Sequence, residues 1–148
     1  MATPTLPPDT FFSGFEVTFL LRLGAAFLAG FLIGLEREQR GKPAGISTHT
    51  FVIAGSALFS LISMAFGAGD PTRIAAQIVT GDGFLGAGII LKSEAGTVVN
   101  LTTAASIWFS AAIGMTIGLG LYGIALVATI FSMFIPRVPR IRGWRGDR

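Results

Sequence analysis

The sequence predicts an all-α polytopic membrane protein with five transmembrane helices, its N-terminus outside and its C-terminus in the cytoplasm. First, 51% of the 148 residues are apolar and only 13% are charged, about half the charged share of a soluble domain. Second, the apolar residues form blocks of the length that crosses a bilayer. Third, the basic residues gather on one side of these blocks. The composition therefore excludes a soluble enzyme domain.

The apolar blocks follow one another with short polar connections between them. The predicted spans are residues 17–35, 49–67, 73–91, 101–118 and 121–135. The predicted domains are an outside tail over 1–16, a five-helix transmembrane domain over 17–135 and a basic cytoplasmic tail over 136–148. Before the third span, Asp70 and Pro71 are typical of a helix start, with the aspartate as N-cap.

The basic residues predict the orientation. Nine of the eleven Lys and Arg residues lie in the segments 36–48, 92–100 and 137–148. If the number of spans is odd, as with five, these three segments lie on the same side of the membrane. Because basic loops stay in the cytoplasm, this side is the cytoplasmic one, and we expect a multi-pass membrane protein. The high pI reflects topology and contact with anionic lipid rather than nucleic acid, since no base-stacking platform accompanies the arginines.

Few residue types suited to catalysis are present. The chain has no cysteine and a single histidine, His49, which excludes disulfides, thiolate metal sites and multi-histidine metal centres. No pairing of a nucleophile with a base is visible, so we expect no enzyme. Residues 81–86 match G-x-G-x-x-G, but a dinucleotide site needs a preceding strand, whereas this motif lies in a membrane-length block.

Glycines are frequent inside the apolar blocks, where they allow neighbouring helices to approach closely. Several recur at a spacing of about four residues, which places them on one helix face. We expect helix packing at Gly30, Gly34, Gly81, Gly83, Gly86, Gly88, Gly114 and Gly118.

The third span carries the most polar residues, and we expect a functional polar cluster within the membrane. Its predicted members are Asp82, Arg22, Gln77, Thr80 and Arg73. Asp82 lies near the middle of the bilayer, where a carboxylate is costly and indicates a function or a partner. We expect Arg22 to pair with it. Two alternatives stay open, a cation- or proton-binding role and a protonated carboxyl bonded to a neighbouring helix.

A second polar cluster is expected at the cytoplasmic face, near His49, where spans one, two and four meet. Its predicted members are Glu36, Arg37, Asn100, Thr102 and Thr103. Carboxylate, amide and hydroxyl oxygens are the ligands of hard cations such as Mg²⁺, which is the candidate ligand, although the sequence leaves any metal unknown. Helix capping by Asn100 and interfacial anchoring by Glu36 and Arg37 are the favoured alternative on chemistry alone.

Motifs over roughly residues 20–135 resemble the MgtC/SapB family of bacterial inner-membrane proteins. They are GLEREQRGKPAGISTHT, DPTRIAAQIVTGDGFLGAGIIL and NLTTAASIWFSAAIGMTIGLGLY, in this order. The resemblance implies a five-helix domain with its N-terminus outside. It also implies magnesium homeostasis and adaptation to low magnesium or acid stress, with virulence in some members.

The resemblance implies functional positions and also shows departures. The family positions are Glu36, Arg37, Gly45, Thr48, Asp70, Pro71, Arg73, Gln77, Gly81, Gly83, Gly86, Gly88, Thr102 and Thr103. Asp82 stands where the family more often has an apolar residue, and Asn100 stands where glycine is frequent. We also expect no cytoplasmic regulatory domain of the kind that some members append, because the sequence ends soon after the fifth span.

Two functions remain open from the sequence. One is a non-enzymatic regulator that acts through a partner membrane complex, such as the proton-driven ATP synthase that the resemblance implies. The other is a direct transporter or channel for Mg²⁺ or another cation that uses Asp82. Since five helices are few for a transport pathway, we also consider a homodimer.

Overall fold

The computed structural model describes residues 16–66, 70, 72–92 and 97–138, and these residues form a bundle of five helices. The predicted tails therefore lie largely outside the described residues, as does Pro71. The helices are α1 (Glu16–Gln39), α2 (Ile46–Phe66), α3 (Thr72–Ile89), α4 (Leu101–Gly118) and α5 (Tyr122–Phe134), and a short 3₁₀ turn (Ile135–Arg137) follows α5.

Each predicted apolar block contains one helix, which confirms the all-α prediction. The helix over 101–118 has the predicted bounds. Helix α1 includes Glu36–Gln39 and so ends four residues past its predicted end. By length and composition, α1, α2 and α4 can each cross a membrane, and α5 with its following turn is a shorter apolar helix. The described chain thus has at least three candidate spans.

Consecutive helices alternate in direction. Thr50 and Ile46 of α2 contact Gly30 and Gly34 of α1 respectively, so these two helices are antiparallel. The central pair, α2 and α4, is parallel, with α1, α3 and α5 packed around it. We call the end of the bundle that holds residues 36–46, 100–103 and 135–138 the basic end, and the end that holds 16–22 and 118–122 the opposite end.

The bundle carries its apolar side chains outside and much of its polar content inside. Phe51 and Phe84 are 79% and 81% exposed, whereas Ser60, Ser63 and Ser110 are buried between helices. A soluble protein rarely exposes so extensive an apolar surface. The distribution is that of a protein surrounded by lipid, in which small and polar residues form the helix contacts.

Asp70 begins α3 as predicted. Its Oδ1 accepts hydrogen bonds from the Thr72 amide at 2.9 Å and from the Thr72 hydroxyl at 2.6 Å, which is the geometry of an N-cap. Both bonds favour the charged carboxylate, so they lower the pKa of Asp70 below its ordinary value.

The connection between α3 and α4 contains a short antiparallel hairpin, β1 (Leu91–Lys92) and β2 (Val98–Val99), which the sequence did not predict. Asn100 follows with φ of 64° and makes no side-chain cap for α4. Asn100 therefore occupies the predicted N-cap position, where its carbonyl accepts from the amides of Thr103 and Ala104, but the expected side-chain cap is absent. The side-chain amide of Asn100 donates to the Ile89 carbonyl instead, at 3.4 Å. Glycine tolerates this left-handed backbone best and asparagine next.

The predicted packing glycines divide into two groups. A Cβ on Gly30, Gly34, Gly114 or Gly118 would collide with the backbone of a neighbouring helix, and Gly86 lies in ordinary contact distance of Ala104. Around Gly81, Gly83 and Gly88 a Cβ would meet nothing within 4 Å. The packing prediction is thus wrong for these three within the bundle, because only the face of α3 with Ile78, Asp82 and Gly86 is buried.

Candidate functional site

A buried polar cluster lies near the basic end, where α1, α2 and α4 meet. Arg37 donates a hydrogen bond from Nη2 to the Thr103 hydroxyl at 3.2 Å, and both side chains are almost fully buried. Glu36 forms an ion pair with Arg40, one helical turn further on. These contacts bring together three of the predicted cytoplasmic-face residues, namely Glu36, Arg37 and Thr103.

His49 joins this cluster through α4. Its Nδ1 and the Ser110 hydroxyl lie 2.8 Å apart in a hydrogen bond, whereas its Nε2 is buried with no partner in the described part of the chain. We call Glu36, Arg37, His49, Thr103 and Ser110 the basic-end cluster. Ser110 was not predicted as a site residue, so its contact with the histidine was missed.

The other predicted members of the cytoplasmic-face cluster lie apart from it. Asn100 faces α3, as described above, and Thr102 is exposed beside Arg40 in a surface cavity. Arg40 was not predicted as a site residue. It donates from Nη1 to the Pro136 carbonyl at 2.8 Å and so joins the end of α1 to the end of α5.

Arg22 does not pair with Asp82, so this prediction is wrong. Its Nη1 donates instead to the carbonyl of Gly118, at 2.6 Å, and the described residues show no ion pair between Arg22 and Asp82. The physical reason is that the last carbonyls of a helix lack intrahelical partners. The C-terminal end of α4 lies beside Arg22 at the opposite end of the bundle and offers such an acceptor.

Asp82 lies on α3 between two surface grooves. The side chain is only 6% exposed, yet its Oδ2 has no hydrogen-bond partner among the described residues. The groove between α2 and α3 measures about 470 Å³ and also contains Ser56 and Gln77. The groove between α3 and α4 measures about 320 Å³ and contains Trp108. An unpaired carboxylate at this depth marks an incomplete environment.

The remaining predicted polar residues of α3 do not surround Asp82. Arg73 and Thr80 are exposed on the outward face of α3, away from the bundle, and Gln77 is exposed at the α2–α3 groove. Only Gln77 thus shares a groove with the carboxylate.

The described residues contain no group of three or more His, Cys, Asp or Glu side chains close enough to hold a metal ion. At the basic-end cluster, Glu36 is already paired with Arg40, and Arg37 is its neighbour in the chain. Two guanidinium groups beside a single carboxylate repel a divalent cation. The residues of this cluster therefore fit Mg²⁺ poorly.

A larger cavity of about 610 Å³ opens at the basic end, with α4 and α5 forming its walls. Three basic residues, Arg37, Arg40 and Lys42, are among the residues that line it. Trp108 and Phe131 also line it, and both are about half exposed. We call this space the basic-end cavity.

Comparison with known proteins gives a consistent family. The family model described as "MgtC family" matches residues 23–140. YhiD of Escherichia coli (strain K12), whose name proposes that it transports magnesium, is 45% identical over 129 residues, 81% of this chain and 60% of its own length. No solved structure matches the chain.

Two proteins named MgtC are also similar. That of Brucella abortus (strain 2308) is 53% identical over 114 residues, 76% of this chain and 48% of its own length. That of Salmonella typhimurium (strain LT2) is 51% identical over 115 residues, 78% of this chain and 49% of its own length. The chain thus spans about half to three fifths of the length of these relatives. It belongs to the MgtC family.

Proposed function

We propose that the chain is a five-span protein of the bacterial inner membrane that regulates a partner membrane complex in magnesium homeostasis. Its N-terminus lies outside and its basic tail lies in the cytoplasm. The alternating helix directions and the basic residues at one end support this orientation. Tags on the two termini test it, since detection of both on the same side of the membrane would contradict five spans.

The small residues on the outward face of α3 support the proposal that the protein regulates a partner complex. These residues, Ala76, Thr80, Gly83 and Ala87, recur at spacings of three and four and are all exposed, whereas Gly30 and Gly114 are used between helices of the bundle. Small residues on a lipid-exposed face allow a further helix to approach closely. The unpaired carboxylate of Asp82 between the two grooves beside this face supports docking of a helix there. ATP synthase is the kind of partner complex that the family resemblance implies.

A growth experiment with matched glycine variants tests this docking face. Gly83→Leu places a large side chain on the outward face of α3, and Gly24→Leu does the same on α1, where a Cβ also meets nothing within 4 Å. In a strain that lacks its own MgtC-family protein, we expect Gly83→Leu to lose the support of growth at low magnesium and Gly24→Leu to retain it. Equal growth with both variants, at equal amounts in the membrane, would refute the proposal.

Transport of magnesium is the second candidate, favoured by the buried carboxylate of Asp82 and by the name of the E. coli relative. Purified protein in liposomes distinguishes the two functions. A magnesium flux that the wild type shows and Asp82→Asn lacks would support transport and contradict the regulatory proposal. Absence of flux, together with copurification of a membrane complex by wild type but not by Gly83→Leu, would support regulation.

A further inference from the structure

The basic-end cavity is lined by both basic and aromatic side chains. Arg37, Arg40 and Lys42 line it together with Trp108 and Phe131, whose side chains are about half exposed. The cavity opens at the end of the helices, which is where a bilayer changes from hydrocarbon to headgroups. Its chemistry is thus complementary to an anionic group attached to an apolar chain.

Arg37 forms no ion pair within the described chain, although the carboxylate of Glu36 lies close enough to act on its charge. The residue is 2% exposed, its Nε has no hydrogen-bond partner and its one hydrogen bond goes to a neutral hydroxyl, that of Thr103. The neighbouring carboxylate of Glu36 pairs with Arg40 instead. A buried charge is costly unless it is paired and fully hydrogen-bonded. An anion in the cavity would supply the missing interaction.

We propose that the basic-end cavity binds the phosphodiester headgroup of an acidic phospholipid, with one acyl chain along Trp108 and Phe131. Arginine suits this ligand because its planar guanidinium donates to two phosphate oxygens at once. Lys42 adds a second positive charge at the rim, and basic pockets between membrane helices bind such headgroups. The three basic residues that would hold the headgroup lie outside α3 and its docking face, although Trp108 lines both this cavity and the groove between α3 and α4.

Trp108 provides a direct probe of the site. The chain has two tryptophans, so Trp144→Phe leaves Trp108 as the only indole. The full-length variant is placed in nanodiscs of plain phosphatidylcholine that contain increasing amounts of a brominated-chain lipid, which quenches nearby indoles. We expect half-quenching at an about tenfold lower mole fraction of brominated phosphatidylglycerol than of brominated phosphatidylcholine, the ratio that one charge-assisted hydrogen bond provides.

Matched variants assign the preference to the cavity. Arg37→Gln and Lys42→Gln are each expected to reduce the phosphatidylglycerol preference severalfold. Arg137→Gln, which removes the same charge at the same end but does not line the cavity, is expected to leave it unchanged. Because Arg37 is buried and its replacement can unfold the chain, Thr102→Phe gives a second test. Thr102 is exposed and lines this cavity but not the groove between α3 and α4, so the larger ring is expected to abolish the preference by filling the cavity.

Three results would overturn the proposal. The first is equal quenching of the wild-type cavity by both brominated lipids. The second is a loss with Arg137→Gln as large as that with Lys42→Gln, which would show general attraction to the basic end only. The third is relief of the phosphatidylglycerol-dependent quenching by millimolar inorganic phosphate, which would assign the site to a free anion. Growth of the same variants at low magnesium reports separately on the proposed regulatory function.

Discussion

The contact between α2 and α4 allows a stability prediction with an internal reference. A Cβ added at Gly114 would collide with the carbonyl oxygen of Ile53 and lie 2.7 Å from the Cβ of Ser56. At Gly55, which is also inside a helix, a Cβ would meet nothing within 4 Å. We therefore compare Gly114→Ala with Gly55→Ala.

The expected magnitude follows from two opposing effects. Replacement of a glycine inside a helix by alanine stabilises the fold by roughly 0.5–1 kcal/mol, and this gain is common to both positions. Overpacking at Gly114 costs about 1–3 kcal/mol, since the Ile53 backbone cannot move away without shifting α2. We expect Gly55→Ala to raise the free energy of unfolding by up to ~1 kcal/mol, and Gly114→Ala to lie about 1–3 kcal/mol below it.

Reversible unfolding in mixed micelles, by titration with a denaturing detergent, measures both variants against the wild type. The changes in the free energy of unfolding for the two variants are expected to have opposite signs. If overpacking has its smallest cost, the two changes still differ by about 1 kcal/mol. Equal free energies of unfolding for Gly114→Ala and Gly55→Ala would refute the close approach of α2 and α4. Thermal melting of both variants in a second detergent controls for a specific effect of the micelle.

Three further predictions concern polar contacts. Arg22→Leu should destabilise the fold by about 1–3 kcal/mol. In a double-mutant cycle with Asp82→Asn, the two effects should be additive to within about 0.5 kcal/mol. A larger coupling energy would indicate that Arg22 and Asp82 do form a pair. Ser110→Ala should lower the free energy of unfolding by about 1–3 kcal/mol because it leaves His49 Nδ1 buried without its partner, and an unchanged value would contradict this bond. Asp70→Ala should lower the melting temperature at neutral pH. Since the folded-state pKa of Asp70 is lowered, its contribution to stability is present above the ordinary carboxyl pKa and is lost as pH falls through the lowered pKa. A difference in melting temperature from the wild type that does not change with pH would contradict this prediction.

The positions of the helices could be predicted from the sequence, because block length and apolar content are local properties. The bounds of α4 and the N-cap at Asp70 are examples. Partners across helices could not be predicted in the same way. The regular spacing of the glycines predicted the same packing role for Gly83 and Gly114. Only Gly114 of these two contacts another helix, because the arrangement of the whole bundle determines which face of α3 is buried.

The candidate site shows the same division. That Arg37 and Thr103 lie at the same end follows from the span count, and their hydrogen bond confirms the placement. Whether Arg22 bonds to a carboxylate or to a free helix carbonyl depends on the lateral distances between helices. The depth of a residue along its span does not determine those distances. The absence of a side-chain cap at Asn100 could not be predicted, because capping preferences assume an ordinary backbone and the φ of Asn100 is 64°.

The bond from Arg40 to the Pro136 carbonyl has a consequence for biogenesis. Arg40 leaves the ribosome almost a hundred residues before its acceptor does, so the end of α1 waits for the end of α5. During that interval, Arg40 makes its hydrogen bonds to water or to lipid at the membrane surface. Completion of the bundle is therefore tied to the synthesis of α5 rather than to the insertion of α1.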